Sequence, residues 1–153
     1  MKAKYLLGVI LMSGFIFGSC NKGWDEEEQK AIDHKIIEQY AKEYQLDGQF
    51  TSSGLYYVIY NEGTEAKPDL FSNVTVKYQG YYTDGESLDE GMIKDYPLNR
   101  LIKGWQEGIQ MIGRNGKMKL VIPSHLAYGH QPQGDVRPDA VLVFDVELID
   151  FSN

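Results

Sequence analysis

Residues 98–148 run through four blocks in a fixed order, and that order constrains the fold more than any other feature of the chain. Leu98 to Met111 carries apolar residues at helical spacing around a single tryptophan, Trp105. Gly116 to Pro123 reads as a strand, with Met118, Leu120 and Ile122 on one face. Leu126-Ala127-Tyr128-Gly129 is a loop, and Pro138 to Leu148 ends in a strand with Leu142, Phe144, Val146 and Leu148 on one side. An ordinary core rarely puts its Trp, Tyr and Phe at turns and strand ends, so this run suits the lining of a small apolar pocket. Taken alone, each of these aromatics is also explained by plain core packing, Trp105 above all.

The rest of the chain supplies the elements around that run. Leu55 to Tyr60 is β-rich, and Asn61 to Phe71 is a loop. Asn73 to Thr83 alternates, with Val74, Val76 and Tyr78 opposite Thr75, Lys77 and Gln79, which predicts a half-buried antiparallel strand. Asp84-Gly85 turns the chain, and Glu86 to Asp95 reads as irregular. Leu98, Leu101, Ile102, Trp105 and Ile109 predict a central helix of about three turns. Ser124 to Asp139 is a long loop of the kind that often binds ligands. The expected architecture is α+β: a twisted antiparallel sheet of four to five strands around a short helix, with an added N-terminal helix.

That N-terminal helix is predicted from about Glu26 to Tyr44 by Ile32, Ile36, Ile37, Tyr40 and Tyr44, with Asp47-Gly48 as its stop. Two roles are open for it: packing on its own domain, or docking a partner or second copy. The acids Asp25 to Glu28 favour a helix start. They also resemble the acidic signals of surface-displayed lipoproteins.

The first residues read as a targeting segment. Lys2 and Lys4 precede an apolar run, Leu6 to Phe17, that is short for a bilayer span and ends in Phe17-Gly18-Ser19-Cys20. Small residues before a cysteine resemble a lipobox, although Phe17 stands where an aliphatic residue is usual. The expected organisation is a lipoprotein signal peptide over 1–19, a tether and helix over 20–50, and a globular domain over 51–153. An ordinary signal peptide or a transmembrane anchor would use the same run. Loss of Lys2 and Lys4 would take the formal charge from −7 to −9, which argues against nucleic acid or anionic lipid as a partner. A lone cysteine excludes internal disulfides and cysteine-rich metal sites. His125 and His130 lack the companion ligands of a metal site.

Several motifs now stand in one order: Val74-x-Val76-x-Tyr78-x-Gly80, Asp84-Gly85, Ile102-x-Gly104-Trp105-x-Glu107-Gly108, Ala127-Tyr128-Gly129, and Leu142 to Leu148. Over about Leu55 to Phe151 the chain resembles the FKBP family of peptidyl-prolyl cis-trans isomerases, and most of all the lipoprotein members of Bacteroidetes-like bacteria. The resemblance implies a sheet wrapped around one helix with a pocket between them. It carries pocket roles onto Tyr78, Leu88, Asp89, Leu101, Ile102, Trp105, Tyr128 and Phe144, and onto Val136 in the loop before the last strand. The family's Phe falls on Leu88, a further wall residue falls near Lys94 and Tyr96, and the usual Ile-Pro-Pro reads Val136-Arg137-Pro138.

The resemblance implies chemistry without metal, nucleophile or cofactor. Trp105, Phe144 and Tyr78 would hold a proline ring, with Leu88, Leu101 and Val136 as apolar wall. The Tyr128 hydroxyl and the Ile102 backbone N–H would hold substrate carbonyls. Asp89 would either polarise the amide surroundings or serve as a structural acceptor. The implied partners are proline-containing polypeptides, a macrolide-type pocket ligand, and the membrane through a lipidated Cys20 facing the periplasm or the cell surface. A peptide-binding module with little turnover is the alternative on the same fold, and Leu88 in place of Phe favours it.

Overall fold

The computed structural model describes residues 23–132 and 134–153. The expected signal segment and Cys20 lie outside the described residues.

The N-terminal helix, α1, spans Glu26–Glu43. Asp25 caps it by accepting the Glu28 N–H at 3.0 Å, so the acidic run forms its cap and first turn. It ends before Asp47-Gly48. Gln45 takes a left-handed conformation (φ 51°), and the Leu46 N–H returns to the Ala41 carbonyl at 2.8 Å. The helix packs on its own domain through Ile37 and Tyr40, both buried, and partly buried Ile36. Ile32 and Tyr44 are exposed, so the apolar face is narrower than the spacing predicts.

Six strands follow: β1 (Gln49–Phe50), β2 (Tyr56–Asn61), β3 (Asn73–Tyr82), β4 (Ser87–Pro97), β5 (Gly116–Ile122) and β6 (Leu142–Ser152). They form one antiparallel sheet in the order β1-β2-β5-β6-β3-β4. The expected four to five strands therefore undercount. The segment 87–97, which reads as irregular, is the edge strand β4. Exposed on nearly every residue, it has no burial alternation to betray it, and its pairing with β3 shifts register twice.

The sheet is covered on both sides. Its inner face wraps the second helix, α2 (Lys103–Ile109), with Val74, Val76, Met118, Leu120, Ile122, Leu142, Val146 and Leu148 packed around Trp105 and Ile109. Its outer face buries Tyr56, Val58, Val121 and Val143 against α1. The strand β5 is therefore buried on both faces from Met118 to Ile122, and the outer face covers Lys119 as well as Val121.

The central helix is shorter than expected. Leu98–Arg100 form one 3-10 turn, Leu101 and Ile102 are extended (ψ 172° and 151°), and only then does α2 begin. Gln106 makes the break stable. Its side-chain amide donates to the carbonyls of Asn99 and Leu101 at 3.2 and 2.7 Å, which a continuous helix would have satisfied by itself. Gly104 and Gly108 let α2 approach the sheet: a Cβ at either would stand 2.5 Å from Ile122 or Leu120 side-chain atoms.

Candidate active site

The break before α2 turns Leu101 and Ile102 toward a cavity of about 440 Å³ between α2 and the inner face of the sheet. All nine residues given pocket roles from sequence line it: Tyr78, Leu88, Asp89, Leu101, Ile102, Trp105, Tyr128, Val136 and Phe144. They come from β3, β4, the α2 approach, α2 itself, the loop between β5 and β6, and β6, so only the fold brings them together.

Three aromatic rings set the apolar surface. Trp105 meets Phe144 edge-on at 5.3 Å and 90°, and Tyr78 at 5.1 Å and 76°. Tyr78 and Phe144 are 6.4 Å apart. These are favourable aromatic geometries, so each ring fixes the other two. Trp105 is held by packing alone, because its indole N–H is buried without a hydrogen-bond partner among the described residues. Gly80 makes room for the arrangement. It lies opposite Phe144 in the β3–β6 register, and a Cβ there would come within 2.4 Å of the Phe144 ring.

The polar side of the cavity centres on Asp89. The Tyr78 hydroxyl donates to Asp89 Oδ2 at 2.6 Å. That bond, with partial burial, pushes the Tyr78 phenol up to about 12. Tyr128, on its loop, is 44% exposed, and its phenol is raised by burial of the hydroxyl and then by the Asp89 charge. Both phenols are therefore neutral hydrogen-bond donors at physiological pH.

Arg137 lies behind the lining residues Tyr82 and Glu86. It donates to Asp84 at 2.7 Å and to Glu86, and its guanidinium lies 4.0 Å over the Tyr82 ring. The Glu86 backbone N–H and Arg137 hold Asp84 below the usual carboxylate range. The residue that replaces a proline before β6 thus ties the loop bearing Val136 to the Asp84-Gly85 turn.

The sequence profile of the FKBP-type peptidyl-prolyl cis-trans isomerases matches residues 64–149, more than half the chain. The chain belongs to that family.

FKBP-type relatives agree with this assignment. The FkpA isomerase of Aeromonas hydrophila is 46% identical over 103 residues, 65% of this chain and 38% of that relative. FkpA of Escherichia coli K12 is 36% identical over 82% of this chain and 47% of its own length. The chain thus spans less than half the length of these curated relatives. The crystal structure of E. coli FkpA superposes with a TM-score of 0.71 at 32% identity, covering 82% of this chain and 62% of that one. A peptidyl-prolyl cis-trans isomerase from Pseudomonas syringae pv. tomato superposes at 0.72 with 28% identity, covering 86% and 98%.

Against the FKBP pattern, the placement of a wall residue near Lys94 and Tyr96 is corrected. β4 runs on through this segment as an edge strand, bulged at Lys94–Asp95 where Asp95 takes a left-handed φ of 46°, and both side chains are exposed and neither lines the cavity. The cavity also takes in Tyr82, Glu86, Ser87 and Asp135, which had no motif to mark them. Gln106 was missed too, although a glutamine at a buried helix position is itself a signal that a nearby backbone group needs a partner. His125 and His130 each have a separate partner, the Ser53 carbonyl at 3.0 Å and Asp139 at 2.8 Å.

Proposed function

We propose that this cavity isomerises prolyl peptide bonds of unfolded polypeptides, and that the protein assists folding in a bacterial cell envelope. The observation that carries the reading is the mutually packed Tyr78–Trp105–Phe144 wall beside a hydrogen-bonded Tyr78–Asp89 pair.

The uncatalysed rotation faces a barrier of about 18–20 kcal/mol because it removes amide resonance. A twisted prolyl imide is less polar than the planar one. An apolar wall that accepts the proline ring therefore binds the twisted form relatively better, which lowers the barrier by differential binding. Trp105 forms the floor, Phe144 and Tyr78 the sides, and Leu88, Leu101 and Val136 the apolar rim. The neutral Tyr128 hydroxyl and the Ile102 backbone N–H donate to the carbonyls flanking the proline. Asp89 holds the Tyr78 ring by its hydroxyl and places a negative charge at the cavity edge. No step requires a metal, nucleophile or cofactor, and a macrolide-type ligand would occupy the same apolar wall.

Cys20 is the proposed anchor, lipidated after removal of residues 1–19. Its support is its uniqueness and its position after Phe17-Gly18-Ser19. Among the described residues no helix is long and apolar enough to cross a membrane. A Cys20→Ala protein should leave the membrane fraction or remain uncleaved. Unchanged processing and attachment would end the lipoprotein reading.

A second reading is a peptide-binding module with little turnover. Leu88 favours it, because the wall at that point lacks a ring. A protease-free isomerisation assay separates the two: acceleration selects the enzyme, and binding without acceleration selects the module.

A further inference from the structure

Tyr128 stands on a loop, between Ala127 and the left-handed Gly129 (φ 69°). Neither strand nor helix fixes its backbone, yet its hydroxyl has to meet a substrate carbonyl within hydrogen-bond distance. Both ends of the loop are tied to the segment that precedes and forms α1.

Upstream, Ser124 is the hub. Its carbonyl accepts the N–H groups of Ala127 at 3.0 Å and Gly129 at 2.9 Å, one on either side of Tyr128. Its own N–H and hydroxyl both donate to Asp33 Oδ2, at 2.8 and 2.6 Å. Asp33 lies on α1 and is 0% exposed, and its other oxygen accepts from Gln29 at 2.8 Å. A buried carboxylate is a poor anchor for a helix compared with an apolar side chain. Ile37 and Tyr40 already serve that purpose. Two of the three side-chain bonds of Asp33 instead come from the loop.

Downstream, Trp24 stacks on His130 with centroids 4.7 Å apart and planes at 22°. Its indole N–H donates to Asp139 Oδ1 at 3.2 Å, while Asp139 Oδ2 lies 2.8 Å from His130 Nδ1. The Asp139 N–H then donates to the Gly129 carbonyl at 3.0 Å. Residues 124–130 are thus clamped at both ends by residues that lie before the match to the family profile.

We propose that Asp33 and Trp24 are positioning residues for Tyr128, so that the N-terminal segment acts as a strap that sets the geometry of the isomerase site. The inference rests on the reading of Tyr128 as a substrate contact. Small misplacements of a group that acts in the transition state have large effects on rate.

The test uses the whole chain with Trp24→Ala, Asp33→Ala, Asp33→Asn and Tyr128→Phe, and the Trp24→Ala/Tyr128→Phe pair. Turnover on a prolyl peptide and amide hydrogen exchange at residues 127–130 are measured on each. Trp24→Ala and Asp33→Ala should speed exchange of the loop amides and lower kcat/KM by on the order of tenfold. Asp33→Asn should recover most of the rate, because its carbonyl still accepts from Ser124 while its amide donates to Gln29 Oε1 after the Gln29 amide flips. In the Tyr128→Phe background, Trp24→Ala should add little, because the loss runs through that hydroxyl. Trp24 is half exposed, so its removal leaves a folded protein even where loss of buried Asp33 does not. Wild-type exchange or wild-type turnover in Trp24→Ala overturns the proposal, as does an undiminished loss in the double variant. If Tyr128→Phe itself turns over normally, the role of Tyr128 fails and the strap's role falls with it. If Tyr128→Phe is slow while Trp24→Ala is not, only the positioning role is overturned.

Discussion

Tyr78 and Asp89 are joined diagonally across the β3–β4 ladder. Tyr78 lies opposite Gly91 and Asp89 lies opposite Gly80, and the phenol spans the offset to reach the carboxylate at 2.6 Å. The ring passes beside Gly91, where a Cβ would stand 3.8 Å from the phenol oxygen. The same ring touches Trp105, so the bond links the polar edge of the cavity to its aromatic floor.

This pair predicts a late-titrating tyrosine. The Tyr78 phenol should ionise at about 12 rather than at its ordinary 10.0. A folded-state pKa above the unfolded one contributes stability that is complete below about 10 and lost as pH rises through about 12. Ultraviolet titration of phenolate absorbance should lose a step at about 12 in Tyr78→Phe, while Tyr40 and Tyr81, whose phenols burial raises further still, continue to titrate later. In Asp89→Asn that step should move toward the ordinary value. A Tyr78 that titrates with the exposed phenols would mean the bond to Asp89 does not persist in solution.

Leu88 predicts a gain of function. It is partly buried against the inner core and lines the cavity at the position onto which the FKBP resemblance carries a Phe. Leu88→Phe should add contact with the twisted imide, and about 1 kcal/mol of transition-state binding is roughly a fivefold rate increase. Thermal stability should change little, because the added ring grows into the cavity. An unchanged rate with an intact fold would show that this wall does not limit turnover.

Gly80→Ala should be costly for its size. The new methyl would stand 2.4 Å from the Phe144 ring, which is itself wedged against Trp105. Overpacking of this kind costs about 1–3 kcal/mol. Denaturant unfolding should register the loss, and peptide affinity should fall as Phe144 tilts. Wild-type stability would mean that the Gly80–Phe144 approach is looser than the geometry gives.

Ile37→Ala tests whether α1 is integral to the domain. Ile37 is fully buried against the outer face of the sheet, and such truncations cost about 2–5 kcal/mol. Helix and sheet should still unfold in one transition. An early, separate loss of helical signal would show that α1 docks without joining the cooperative core.

Much of the site was legible because its motifs combine a period of two with fixed aromatics: Tyr78 and Phe144 fall where strand alternation points them inward. The break before α2 was not legible. Leu98, Leu101, Ile102 and Trp105 fit a helical spacing well, and the Gln106 side chain satisfies two upstream carbonyls that the extended alternative leaves without helical partners. The edge strand β4 was hidden for a different reason. Pattern reading relies on burial, and an edge strand with both faces largely in solvent has none to display. The contact of Asp33 with Ser124 joins positions 91 residues apart, and nothing local in either segment announces it.

The central claim is that the aromatic cavity accelerates prolyl rotation. A protease-free isomerisation assay on residues 21–153, with a short prolyl peptide followed by magnetisation exchange, tests it most directly. The account predicts interconversion well above the uncatalysed rate, sharply reduced in a folded Tyr128→Phe variant. Peptide binding at the cavity with interconversion at the uncatalysed rate would contradict it.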